Sequence, residues 1–117
     1  MGKVFAVIEV KIKDPAAFQR YAEGYVPSLH AFGGRIVAAD PDFLTVEGQR
    51  EADVLVIHEW PLIQAFRAWY ASEQYEPWAR LCQEQAAHWT RVMLLPQGVP
   101  ALVAASMTAR RPRSAAM

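Results

Sequence analysis

The amino-acid sequence predicts an α+β fold, a four-stranded antiparallel sheet with both helical segments on one face. Three observations predict it. Segments with strand alternation lie near residues 3–12, 35–40, 53–60 and 89–95, and segments with helical spacing separate the first from the second and the third from the fourth. Proline and glycine punctuate the joins, at Asp14-Pro15, Gly33-Gly34, Pro61, and Pro96 with Gly98. The resulting order, β-α-β-β-α-β, is the ferredoxin-like layout.

Each element has its own warrant. From Lys3 to Ile12 the residues Val4, Ala6, Ile8, Val10 and Ile12 make one apolar face, and Phe5, Val7, Glu9 and Lys11 make a mixed one. Asp14 can accept free N–H groups at a helix start, and Pro15 stands where no donor is needed. Phe18, Tyr21, Ala22, Tyr25, Leu29 and Phe32 follow at helical spacing, and Gly24 and Pro27 are expected to interrupt this helix, with a kink near Tyr25. Gly33-Gly34 supplies a left-handed cap. Arg35 to Asp40 reads as the second strand, the turn Asp40-Pro41-Asp42 leads into a short extended piece at Phe43–Glu47, and Asp53 to Trp60 is the third strand. Leu62, Ala65, Phe66, Trp69 and Tyr70 give the next helix its apolar stripe. Ser72 to Pro77 breaks it, Trp78, Leu81, Cys82 and Ala86 continue the helical spacing to His88, and Trp89 to Leu95 is the last strand.

Composition sets the outer limits. The chain has 117 residues, 53% hydrophobic and 21% charged, which suits one core (residues 1–98) and excludes a disordered chain. Twelve basic residues balance twelve acidic ones. Nine of the basic residues and all the acidic ones precede Val99, whereas the extension 99–117 carries Arg110, Arg111 and Arg113 and no acid. Three arginines are too few to track phosphates, so no nucleic-acid partner is expected. The extension is expected to reach a second subunit, its arginines meeting acidic residues of the body. One cysteine, Cys82, excludes an internal disulfide and a thiolate-cluster zinc site within one chain. No apolar run approaches a membrane span, and the start lacks a signal-peptide layout, so no membrane partner and a cytoplasmic location are expected.

In this topology the first and third strands are central neighbours, which is expected to bring Glu9 near the His58-Glu59 pair. The sheet face away from the helices carries Phe5, Val7, Leu55 and Ile57. Left wet, these would form a large apolar patch, and a homodimer that pairs two such faces is predicted.

Several motifs together resemble a known family. They are Phe18–Tyr21 after Asp14-Pro15, the Phe32-Gly33-Gly34-Arg35 turn, Glu47-Gly48, Glu59-Trp60-Pro61, and Ala68-Trp69-Tyr70-Ala71-Ser72-Glu73-Gln74-Tyr75 followed by Arg80. The chain is similar to the domain-of-unknown-function family DUF1330, within the dimeric α+β barrel superfamily. The resemblance implies a homodimeric barrel of two ferredoxin-like sheets and no settled reaction. That superfamily holds cofactor-free monooxygenases, muconolactone-type isomerases, haem-using enzymes and proteins without known activity. Two features depart from the family pattern: His58, where an apolar residue is usual, and the long tail beyond Leu95.

His58 is the most informative position. It shares a strand face with Val54, Val56 and Trp60, so the imidazole is expected in an apolar slot with Tyr21, Tyr25 or Tyr75 as partners. Imidazole is the natural proton carrier near neutral pH, though a core histidine satisfied by a tyrosine or a carbonyl explains it as well. Glu9, Glu59 and Arg35 share the opposite parity. They read either as a substrate-carboxylate clamp (Arg35) beside a general acid or base, or as an ion network across a dimer interface. Tyr75 and Arg80 flank the helix break, either as binding residues or as a packed ring and an Arg80–Glu76 pair. His30 and His88 end helices, where the helix dipole accounts for them, and no two histidines have metal-ligand spacing.

The function expected is a small-molecule-binding homodimer. It is expected to be a cofactor-independent enzyme acting on a small organic acid, lactone or aromatic-like substrate by acid/base chemistry at His58, with Arg35, Glu59 and Tyr75 in catalytic roles. Trp60, Tyr25, Arg80 and Glu9 would bind substrate; no cofactor and no metal are expected. The alternative is a non-catalytic accessory or binding dimer. A cavity of about 300 Å³ or more beside His58 would discriminate the two.

Overall fold

The computed structural model describes residues 3–96. Strand β1 runs Val4–Ile12, helix α1 Pro15–Ala31, β2 Arg35–Asp40, β3 Val54–Trp60, α2 Ile63–Tyr70, α3 Glu76–Leu81, a π-helical turn Cys82–Ala86, and β4 Ala87–Leu95. The sheet order is β2-β3-β1-β4, every neighbouring pair antiparallel, so β1 and β3 are central as the topology predicts. The expectations for residues 99–117 lie outside the described residues.

Local chemistry explains the boundaries. The Asp14 carboxylate accepts from the backbone N–H groups of Ala16 (3.0 Å) and Ala17 (3.3 Å), satisfying donors that the first turn of α1 cannot pair. At the other end Gly33 N–H donates to His30 C=O and Gly34 N–H to Leu29 C=O, with Gly33 at φ +97°. This paired closure needs a left-handed residue, which glycine supplies without a Cβ clash. Pro61 follows β3 and ends it.

Three details differ from the sequence reading. Helix α1 continues through Gly24 and Pro27. Gly24 is a point of close approach, because a Cβ there would run into the Trp78 ring. The Phe43–Glu47 segment forms no strand and belongs to a loop from Pro41 to Asp53. Arg50 holds that loop: its guanidinium donates to the carbonyls of Pro41, Phe43, Ala52 and Asp53 and lies 4.0 Å from the Phe43 ring centre. Finally, the last helical stretch ends as a π-turn and β4 begins at Ala87. His88 is then the extra residue where the β1–β4 register shifts between Lys11↔Trp89 and Ile12↔Ala87.

The core lies between one sheet face and the helices. Val4, Ala6, Trp60, Tyr25, Leu29, Phe66, Trp69 and Tyr75 pack together, and Val10, Val54, Val56, Cys82 and Ala87 form a second group beside them. Trp60 is fully buried under the Gly33-Gly34 turn, and a Cβ on Gly34 would sit 2.7 Å from its ring. The opposite sheet face has no helix over it. Phe5, Val7, Leu55 and Ile57 are only partly buried there, and Met93 and Leu95 are exposed.

Candidate functional site: an aromatic hollow around His58

The alternation of β3 sends Val54, Val56, His58 and Trp60 toward the helices, and the register places His58 between Ala6 of β1 and Ile36 of β2. Ala6 is small, so ring-sized side chains from α1 and α2 can reach the imidazole. Tyr25 of α1 does so: its hydroxyl is 3.1 Å from His58 Nε2. Trp69 of α2 lies edge-on to the imidazole, ring centres 5.8 Å apart.

Trp69 is itself fixed by a hydrogen bond from its indole N–H to Ser28 Oγ (2.9 Å), and the Ser28 hydroxyl donates to the Tyr25 carbonyl (2.7 Å). Tyr75 packs on Trp69 with ring centres 4.1 Å apart, and its hydroxyl pairs with that of Tyr21 at 2.8 Å. The ring orientation of His58 is thus set by a chain of packed and hydrogen-bonded neighbours from two helices and a loop.

These side chains enclose a hollow of about 40 Å³ between sheet and helices, with Cys82 and Gln83 of the π-turn and Thr90 and Val92 of β4 completing its wall. It reaches the surface along β4, an edge strand whose Thr90 and Val92 are exposed although they point to the helix side. The volume admits two or three waters.

Burial makes the hollow hostile to charge. His58 is 2% exposed, and desolvation lowers its pKa from 6.5 to about 4, so the imidazole is neutral at pH 7. Desolvation likewise raises Tyr25, and raises Tyr21 with a further push from Tyr75 beside it. For Tyr75 desolvation outweighs the opposing effect of the hydrogen bond with Tyr21. Burial pushes the Cys82 thiol up to about 11. Two buried nitrogens, His58 Nδ1 and Trp60 Nε1, have no hydrogen-bond partner among the described residues. An unmatched buried polar atom costs about 1–3 kcal/mol, which a molecule bound against it can recover.

The structure separates the predicted residues into two groups. His58, Tyr25 and Tyr75 line one hollow. Arg35, Glu59 and Glu9 do not: the pleat puts them on the uncovered sheet face, with the sheet between them and the imidazole. Arg35 donates to Glu59 at 3.0 Å, where Lys3 also lies at 3.3 Å.

Glu9 stands opposite Leu55, whereas Glu59 stands opposite Phe5, a separation of about 13 Å along β1 at strand spacing. Glu9 pairs instead with Arg91 at 2.7 Å, which also reaches Glu51. The two carboxylates therefore form no pair, and Arg35 cannot clamp a molecule bound beside His58. Arg80 is exposed and bonds Glu76 at 2.6 Å, the helical i, i+4 contact. Trp60 belongs to the core and does not line the hollow. Among the described residues no three His, Cys, Asp or Glu side chains are grouped to hold a metal ion. Sequence reasoning missed Gln83 and Thr90, since neither the π-turn nor the register shift has a residue signature that announces it.

The element order, the sheet order and the aromatic hollow behind the sheet define a ferredoxin-like α+β protein. The chain belongs to the DUF1330 family, described as a domain of unknown function, whose profile matches residues 3–97. The fold is similar to that of a protein of unknown function from Rhodopseudomonas palustris, at 21% identity over 85% of each chain and a TM-score of 0.71. It is also similar to SnoaB, a cofactor-independent oxygenase from Streptomyces nogalater. That likeness is at 18% identity, over 86% of this chain and 98% of the other, with a TM-score of 0.62. A dimeric ferredoxin-like protein of unknown function from Thermobifida fusca matches at 11% identity, over 82% and 92% of the chains, with a TM-score of 0.61. No curated protein matches the chain. Among the described residues no helix is long and apolar enough to cross a membrane.

Proposed function

We propose that this chain is the subunit of a small-molecule-binding homodimer that performs cofactor-independent acid/base chemistry in the His58 hollow. One observation carries the reading: a neutral, buried imidazole is held at one nitrogen by Tyr25 and lacks a partner at the other. In one tautomer Nε2–H donates to Tyr25 and Nδ1 presents a lone pair; in the other Tyr25 donates and Nδ1–H is the spare donor. In the first form His58 can accept a proton from a C–H or O–H acid, while Tyr25 steadies the imidazolium that results. The Tyr21–Tyr75 pair can hold an enolate or carbonyl oxygen as charge develops. A cofactor-independent oxygenase among proteins of like fold supports such chemistry. The apolar residues of the uncovered sheet face, and the dimeric state of a protein of like fold, support the homodimer.

Hydrogen–deuterium exchange tests the chemistry. Enolisable cyclic ketones and lactones incubated with the protein in D2O should exchange their acidic C–H protons faster than in buffer, and His58→Gln should abolish the gain. Exchange that His58→Gln leaves undiminished would remove His58 from the reaction.

One observation favours the non-catalytic alternative. The hollow is about 40 Å³, well under the ~300–1,000 Å³ of most ligand pockets. On that reading no compound exchanges, and the aromatic side chains are the filling of the core.

A further inference from the structure

Every charged pair of the described residues lies outside the hollow. Lys3 and Arg35 meet Glu59, Arg91 meets Glu9 and Glu51, Lys11 meets Asp53, and Arg80 meets Glu76. No Asp, Glu, Lys or Arg lines the hollow itself. What lines it is apolar and aromatic surface with a few neutral polar groups: Cys82, Gln83 and Thr90 in the wall, and two hydrogen-bonded pairs. In one pair, Tyr25 Oη and His58 Nε2 share one hydrogen bond and leave His58 Nδ1 over. In the other, Tyr21 Oη and Tyr75 Oη share one hydrogen bond at 2.8 Å. Two hydroxyls joined by a single bond retain one O–H proton between them, a donor that a neutral oxygen can accept.

From this arrangement we infer that the hollow takes an uncharged, flat, apolar molecule bearing a carbonyl or hydroxyl oxygen, and turns carboxylates away. The inference rests on the small-molecule reading above and narrows its substrate class: the organic acids admitted by the sequence are removed, and neutral ketone, lactone and phenol types remain. The physical reason is desolvation. A carboxylate entering this space would leave water with no cation to meet it, whereas a neutral carbonyl gives up one hydrogen bond and gains another. Tyr21, Tyr25, Tyr75, the Cys82 thiol and the His58 imidazole all sit in their uncharged forms, so the surroundings offer dipoles and no compensating charge. Tyr70 and Gln83 are exposed lining side chains, and a ring larger than the resting hollow requires them to turn outward as it binds.

Benzamide and benzoate test this, being alike in shape and different in charge, with phenol as a third probe. Each is titrated at pH 7 into the full chain, labelled with nitrogen-15, while the imidazole signals of His58 and the indole N–H of Trp69 are followed. The expected result is that benzamide and phenol shift both sets of signals, that benzoate binds about 100-fold or more weakly there, and that His58→Gln weakens benzamide about tenfold. Benzoate shifting the same signals at the same concentrations as benzamide would overturn the inference and leave the small-molecule site standing. If none of the three moves either residue at millimolar concentration, the site reading falls and the inference falls with it.

Discussion

His58 ties the stability of the fold to pH, and replacing it isolates the effect. In the folded chain burial holds its pKa at about 4, against 6.5 when exposed. The unfolded chain therefore binds more protons throughout the interval between those values. Stability from this source is complete above pH 6.5 and drains away as pH falls toward 4. Over the whole interval the loss is about 3 kcal/mol, of which about 2 kcal/mol falls between pH 7 and pH 5. The side chain is 2% exposed, so solvent screening takes little from that figure. The assay is urea unfolding at pH 7 and pH 5, at one protein concentration, for the wild type, His58→Gln and His58→Leu. His58→Leu loses the Tyr25 hydrogen bond and is less stable at pH 7, but each variant should lose about 2 kcal/mol less than the wild type on going to pH 5. Contributions from every other group are common to the three proteins and cancel in the comparison. Equal losses in all three would show that His58 is not held neutral by burial, and the proton-acceptor role would go with it.

Other expected outcomes follow from single features. Gly34→Ala places a Cβ 2.7 Å from the Trp60 ring, and overpacking of that kind should lower the unfolding free energy by about 1–3 kcal/mol in a denaturant titration. Arg50→Ala removes four hydrogen bonds to carbonyls of the 41–53 loop; proteolysis confined to that loop should accelerate, with a loss of global stability of about 1–2 kcal/mol. Cys82 is buried with its thiol raised to about 11, so a thiol reagent at pH 8 should label it only under unfolding conditions. If two uncovered sheet faces pair, Ile57→Lys should shift the protein from dimer to monomer in sedimentation, while Arg80→Ala should leave its assembly unchanged.

The sequence carried the fold because the signals that build it are local. Period-two alternation in β1 and β3, Asp14 as an N-cap and glycine at the left-handed position each act within a few residues of where they are read. The same alternation assigned His58 to the helix side and Glu9, Glu59 and Arg35 to the other. What alternation cannot supply is distance along a pair of strands. Glu9 and Glu59 share a face, but an antiparallel register sends them to opposite ends of it, and each meets a different arginine. The Arg80–Glu76 contact was legible from i, i+4 spacing.

The wall formed by Gln83 and Thr90 was not, because it depends on a π-turn and a shifted register that only the packed chain selects. Gly24 misled for a related reason. In isolation it weakens a helix, whereas in the fold it makes room for Trp78. Trp60 shows the limit of proximity: it lies beside His58 on the same strand face, yet its ring fills the space beneath Gly34 and not the hollow.

The proposed chemistry depends most on the state of one imidazole. A nitrogen-15 titration of His58 in the intact protein reads that state directly. It should show a neutral ring from pH 8 down to pH 5, with half-protonation near pH 4. A ring that takes up its proton near pH 6.5, as a histidine in water does, would contradict it.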